Sequence, residues 1–238
     1  MTSCILVFYI AIFGLRLQAQ SGDPDALYAA RDNLTSARAA AAIWSDRLAR
    51  NARDFDSAWK LARAHYWLGT HASAAERKAL LEEGIRAGRA AVAAQPAKPE
   101  GHFWIAANMG ALAESFGLRQ GLKYRGNIRD ELLTVLKLDP GFQEGSADRA
   151  LGRWYFKVPG LFGGSKKKSE EHLRRSLTYD PTNTLSLLFL AETLLGLDRV
   201  AEARQTLQKL LDAAVDPQWA PEDRENKEKA RQLLAKTR

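Results

Sequence analysis

Apolar residues recur along this chain at helical spacing. Leu187, Leu190, Ala191 and Leu194 fall at i, i+3, i+4 and i+7, and Ala203, Leu207 and Leu210 carry a matching stripe on the next segment. Polar residues fill the positions between, so each segment predicts a helix with one buried face. The same couple of striped segments occurs three more times. Trp59, Ala62 and Tyr66 precede Gly84, Gly88, Ala91 and Val92. Phe103, Ala106, Ala107 and Gly110 precede Ile128, Leu132, Val135 and Leu136. Leu151, Gly152 and Tyr155 precede Leu173 and Leu177. Ala, Leu, Arg, Glu and Lys dominate, and runs of Val, Ile and Thr are scarce, so an all-α chain is expected.

Each second segment runs into a proline. The stretches VAAQP, LKLDP, LTYDP and DAAVDP place Pro96, Pro140, Pro181 and Pro217 at intervals of 44, 41 and 36 residues. A helical hairpin closing on proline resembles the tetratricopeptide repeat, whose period is ~34 residues. The expected architecture is therefore an all-α stack of tetratricopeptide-like helical hairpins, wound into a right-handed superhelix. It forms one domain over residues 20–238, with repeats at about 54–96, 97–140, 141–181 and 182–217. An Ala-rich helical cover (25–50, one helix or two) precedes them, and a mostly polar capping helix (221–236) follows, opened by Pro221, Glu222 and Asp223. The excess over the ideal period is placed between the two helices of a pair. It corresponds to THASAAERKALLEE (70–83), ESFGLRQGLKYRG (114–126) and KVPGLFGGSKKKSEE (157–171), all expected on one edge of the stack.

The first 19 residues stand apart. ILVFYIAIFGL (5–15) is an apolar run of 11 residues, too short for a membrane-spanning helix of ~20. Ala19 then offers a cleavage position, so residues 1–19 read as a secretory signal peptide and the protein as exported, periplasmic or extracellular. An uncleaved anchor is the alternative, and no Lys or Arg precedes the run. Cys4 is the single cysteine; cleavage would leave a chain without thiol or disulfide chemistry. The formal net charge of +7 could favour acidic partners, but bases and acids are interspersed, as on an ordinary soluble surface.

With the repeats placed, a family resemblance can be stated. RALGRWYFKVPGLFGGSKKKSEEHLRRSL, FLAETLLGLDRVAEA, YWLGTH and WAPEDRENKEKA resemble the TatT proteins, the periplasmic T-component associated with TRAP transporters. A weaker similarity, through LGRW (Leu151 to Trp154), extends to eukaryotic regulators of microtubule dynamics. The TatT resemblance implies an exported helical scaffold that binds a periplasmic solute-binding protein. It also implies a trimer around a pore and delivery of a hydrophobic ligand. Cys4 precedes the apolar run and is not placed as a lipid acceptor, which sets this chain apart from the lipoprotein members.

Few patterns point to chemistry. In KVPGLFGGSKKKS, Ser165 separates the last glycine from the lysines and the preceding element is helical, so a Walker phosphate loop is not met. Two readings of Gly163, Gly164, Ser165, Lys166, Lys167 and Lys168 stand. One is an anion or partner site at a helix start; the other is a solvated charge run after a glycine turn. The histidines His65, His71, His102 and His172 form no i, i+4 pair and no HExxH pattern, so no metal is expected. No cofactor or catalytic motif is present, and scattered bases without a single-strand motif argue against nucleic acid. The first helix of each repeat should line the concave groove. Helical phase selects Lys60, Trp67, Trp104, Asn108, Arg149, Arg153, Phe156, Leu188, Glu192 and Leu195 as inward-facing. They would bind a partner, or line a carrier for a small hydrophobic ligand; the opposing reading of Trp67, Trp104 and Phe156 is packing between repeats.

Overall fold

The computed structural model describes residues 22–237; the leader expected at 1–19 lies outside them. Eleven α-helices run through the described residues, with no strand among these. α1 (Pro24–Ala29) and α2 (Leu34–Arg50) form the N-terminal cover. Four hairpins follow: α3 (Phe55–His71) with α4 (Ala74–Ala94), α5 (Pro99–Ser115) with α6 (Gly117–Leu138), α7 (Phe142–Lys157) with α8 (Lys166–Tyr179), and α9 (Thr184–Gly196) with α10 (Val200–Asp212). α11 (Ala220–Lys236) ends the chain.

Local chemistry starts these helices. Asp54 accepts from the Ser57 amide, Ser165 from Lys168 and Asn183 from Ser186, each satisfying an orphan donor worth ~1 kcal/mol. The apolar stripes then meet. A continuous core runs from Tyr28 and Trp44 through Leu68, Leu81, Ile105, Met109 and Leu132 to Leu151 and Trp154. Smaller clusters around Leu187, Leu207 and Ala230, and around Leu173 and Leu194, continue it to the C-terminus. The first helices α3, α5, α7 and α9 contact one another in series and form a common wall.

The long repeats depart from expectation. The excess in the first two is not loop: residues 74–83 and 117–126 belong to α4 and α6, which simply begin early. Stretches such as AAERKALLEE are made of strong helix formers and lack proline, so the inserted residues extend the second helix by turns. Only the third repeat keeps a true loop between its helices. It folds tightly on itself: Phe162 and Gly164 amides donate to the Pro159 carbonyl (2.8 and 3.2 Å), and Ser165 donates to Tyr155 (2.9 Å). Gly164 lies so close to the Val158 carbonyl that a Cβ there would stand 1.6 Å from its oxygen, which admits only glycine.

α11 also does more than cover the last repeat. It packs on α9 and α10, with Asn226 and Asp223 bonded to Thr184 at the start of α9. It then reaches the opposite end of the stack. Arg31, in the turn between α1 and α2, donates from Nε to Glu222 (2.9 Å) and from its terminal nitrogen to the Gln218 carbonyl (2.8 Å). His71 of α3 meets Glu225 at 2.8 Å. The chain therefore closes on itself across the concave side.

Candidate functional site: the concave wall

The first helices and the closing turn carry cations packed against aromatic rings. Arg63 lies 4.1 Å over the Tyr28 ring and 5.0 Å from that of Trp59. Arg31 sits over Tyr28, Trp67 and Trp219 at 5.2, 5.3 and 5.8 Å. Tyr66 and Trp104 stack obliquely, 5.7 Å apart. Burial pushes the Tyr66 phenol up to about 12, with Glu114 and Glu222 adding to the shift and Arg153 and Arg149 opposing it. These side chains from α3, α5, α7 and α11 thus share one electrostatic space. Burial pulls Arg149 down to about 10, which still leaves it cationic near neutrality.

Two donors stand out there. The indole N–H of Trp104, a residue only 5% exposed, and a terminal nitrogen of Arg149 find no hydrogen-bond partner among the described residues. Arg63 Nε is in the same condition. Buried donors without acceptors are uncommon, each costing ~1–3 kcal/mol, so Trp104, which packs on Tyr66, and Arg149 are features to explain.

Arg153 forms the second feature. It bonds Glu114 of α5 at 2.9 Å and pairs with Glu192 of α9, tying three successive first helices together. Burial lowers its pKa, but these carboxylates reverse the effect and the net shift is upward. Burial would raise Glu114, yet Arg153 and Lys157 hold it below its usual value. This rung is internally satisfied.

The remaining inward candidates divide plainly. Lys60 pairs with Asp25 at 2.7 Å. Trp67 is buried, stacked on His71 at 3.6 Å, and its indole donates to the Arg31 carbonyl at 2.6 Å. Asn108 is fully buried and bonds the carbonyls of Ala62 and Trp104, holding α5 against α3. Leu188 lies in the core with Leu207 and Leu210; Leu195 packs on the Leu173 cluster. Phe156 is half-buried against Gly196. Tyr28, Arg31, Arg63, Tyr66 and Glu222 were not among the residues the sequence nominated. Arg63 had left a signal, since it occupies the position that is small in the other repeats. Arg31 and Glu222 had left none, because their meeting spans nearly the whole chain.

The lysine loop is largely bonded within itself, with the Lys166 and Lys167 amides opening the helix. Its Phe162, Gly163, Gly164 and Lys168 amides are bonded within the loop and its helix start, and that of Ser165 to the Tyr155 carbonyl of α7. Lys166 reaches away to the Gly196 carbonyl at the C-terminus of α9, where a cation is favoured. Lys167 and Lys168 remain exposed.

Two clefts border the closure. One of about 340 Å³ is lined by Asp32, Trp67, His71, Arg224 and Glu225; another of about 180 Å³ lies among Asp25, Tyr28, Arg31, Arg63 and Trp219. Both are half-open and carry charged side chains. Among the described residues no three His, Cys, Asp or Glu side chains are grouped to hold a metal, and no helix is long and apolar enough to cross a membrane.

Stacked hairpins, an inner wall of first helices and a capping C-terminal helix define a tetratricopeptide-type protein, and a tetratricopeptide-repeat model matches residues 167–221. The model described as regulator of microtubule dynamics protein 1-3 matches residues 24–167, more than half of the chain, and the protein belongs to that family. Among curated proteins none matches significantly. Two solved structures share the fold. A thermophilic TPR protein of Thermus thermophilus, TTC0263, is 22% identical, with a TM-score of 0.67 over 89% of this chain and 95% of that one. MamA is 15% identical, with a TM-score of 0.52 over 84% of this chain and 95% of that one. Tetratricopeptide-type proteins are generally non-catalytic scaffolds for protein–protein binding.

Proposed function

We propose that this protein is a non-catalytic scaffold that takes an acidic group of a protein partner into its concave hollow. The observation that carries this reading is the set of unmatched donors on Trp104 and Arg149 beside Tyr66. A carboxylate accepts from both an indole N–H and a guanidinium, and charge-assisted bonds of this kind are about twice as strong as neutral ones. The surrounding rings supply apolar contact, and Trp, Tyr and Arg are the residue types that dominate binding energy at interfaces. The clefts at the closure are half-open and carry charged side chains, unlike the enclosed apolar cavity that a carrier of a small hydrophobic ligand requires. The finer identity follows the TatT resemblance: an exported protein whose partner is the solute-binding protein of a TRAP-type transporter. It is supported by the irregular loop and flanking residues that carry that resemblance.

The test separates binding from stability. A buried guanidinium with an unmatched N–H burdens the fold, and replacing such a group by an apolar side chain of similar length is often stabilising by ~1–4 kcal/mol. Arg149→Met should therefore hold or raise the melting temperature while weakening partner capture at least tenfold. Trp104→Phe, which removes the N–H and keeps a ring, should weaken capture with little change in stability. Unchanged capture in both, measured against purified solute-binding protein and an acidic peptide, would refute the reading.

A further inference from the structure

The edge formed by α6 and the loop before α8 is left unused by the concave site, and its composition is unusual. No Asp or Glu occurs from Phe116 to Arg129, which holds Arg119, Lys123, Arg125 and Arg129, nor from Lys157 to Ser169, which holds Lys157, Lys166, Lys167 and Lys168. The two segments meet around Trp154. Its indole donates to the Arg125 carbonyl at 2.9 Å, Arg129 lies 5.9 Å over its ring, and Gly163 abuts it. Arg125 lies 5.7 Å over Phe162, and Lys168 5.5 Å over Tyr155, the ring next to Trp154.

Not every cation there is free. Lys157 pairs with Glu114, Arg129 with Asp130, and Lys166 caps α9. Arg119, Lys123, Arg125, Lys167 and Lys168 are exposed and form no ion pair among the described residues. In front of them the loop holds up apolar side chains: Leu161 is 90% exposed and Phe162 37%. The loop is no slack connector. Its internal amide bonds and the contact that demands Gly164 fix the 3-10 turn Gly160–Phe162, so Leu161 is presented by a rigid support.

We propose that this edge docks on an anionic lipid bilayer, with Leu161 and Phe162 entering the headgroup layer and Lys123, Arg125, Lys167 and Lys168 facing lipid phosphates. The match lies in the layering: an apolar tip backed by cations suits the boundary between acyl chains and negatively charged headgroups. A protein partner would call for a pocket or groove around its anchor residues, whereas Leu161 stands out from the surface, 90% exposed. The surface is separate from the concave hollow, so it stands or falls independently of the partner reading.

Vesicle co-sedimentation of the full chain tests it. Binding to vesicles of 30% phosphatidylglycerol in phosphatidylcholine should exceed binding to pure phosphatidylcholine by tenfold or more at 0.1 M salt, and the excess should fall sharply at 0.5 M. The neutral vesicles account for any adhesion by the apolar segment at 5–15. Each basic residue near an anionic leaflet strengthens binding about fivefold, so Lys167→Gln with Lys168→Gln should remove about tenfold or more of the excess. Leu161→Asp should abolish most of it, with helical circular dichroism unchanged. A polarity-sensitive dye on Leu161→Cys, in a Cys4→Ser background, should brighten only with the anionic vesicles. No anionic excess, or an excess indifferent to Leu161→Asp, overturns the proposal. So does a loss seen with immobilised polyglutamate but not with vesicles, which would assign the edge to an acidic protein.

Discussion

His65 shows how a single buried side chain ties this fold to pH. It sits on α3, half-buried, and its Nδ1 finds no partner among the described residues. Burial holds its pKa down, to about 4 from an ordinary 6.5; Glu83 opposes the shift weakly and Arg86 adds to it. The folded state therefore prefers the neutral ring. As pH falls below 6.5 the unfolded chain takes up a proton that the folded chain refuses, so stability declines through the window from 6.5 to about 4 and levels off below it. The full effect is on the order of 3 kcal/mol. His65→Leu should remove it: urea melts of the two proteins should diverge by about 1–2 kcal/mol between pH 7.5 and pH 5. The carboxylates held below their usual range, Glu114, Glu170 and Glu225, are lost only at lower pH, so they leave this comparison clear.

At the scale of the helix, close approach is set by small residues, and Gly84 is the sharpest case. A Cβ there would stand 2.1 Å from Asn108 Oδ1, on a side chain that is itself fixed by two carbonyl acceptors. Asn108 cannot swing aside without releasing both, so Gly84→Ala should destabilise by about 1–3 kcal/mol despite alanine's better helix propensity. Thermal denaturation would check it, and a stabilised variant would show that α4 and α5 have room to part. This glycine was visible in the sequence as part of a stripe, as were Leu187, Leu207 and the prolines that end each second helix. Periodicity reports which face of a helix is buried, and the helices accordingly fall where their stripes begin and end. It does not report where a helix starts when the preceding residues are themselves helix formers, which is why 74–83 and 117–126 read as loop and fold as helix. Nor does phase alone tell a groove-facing side chain from one packed between neighbours. Leu188 and Asn108 share the inward register of Arg149 and lie in the packing.

Across the whole molecule, the meeting of α11 with the first repeat converts an open stack into a closed one. Nothing local announces it, since Arg31 and Glu222 lie 191 residues apart. Their pair is asymmetric. Arg31 is 3% exposed and Glu222 27%, so the carboxylate can return to water but the guanidinium cannot. Glu222→Gln leaves Arg31 buried with only the Gln218 carbonyl and its aromatic neighbours, a loss of about 2 kcal/mol after allowing for the partial exposure of Glu222. The loss should not spread evenly. α9 and α10 still hold α11 through Thr184, Asp223 and Asn226, so the last repeat should keep its protection. The contacts that open are those of α11 with Arg31 in the α1–α2 turn and with His71. Hydrogen exchange in Glu222→Gln should accelerate in α1 and at the start of α11, with α5 to α8 unchanged. If the hollow is where a partner's acidic group enters, the same variant should bind that partner faster, because the closure stands across its path. Uniform acceleration along the chain would mean that the closure carries global stability, and that entry does not depend on opening it.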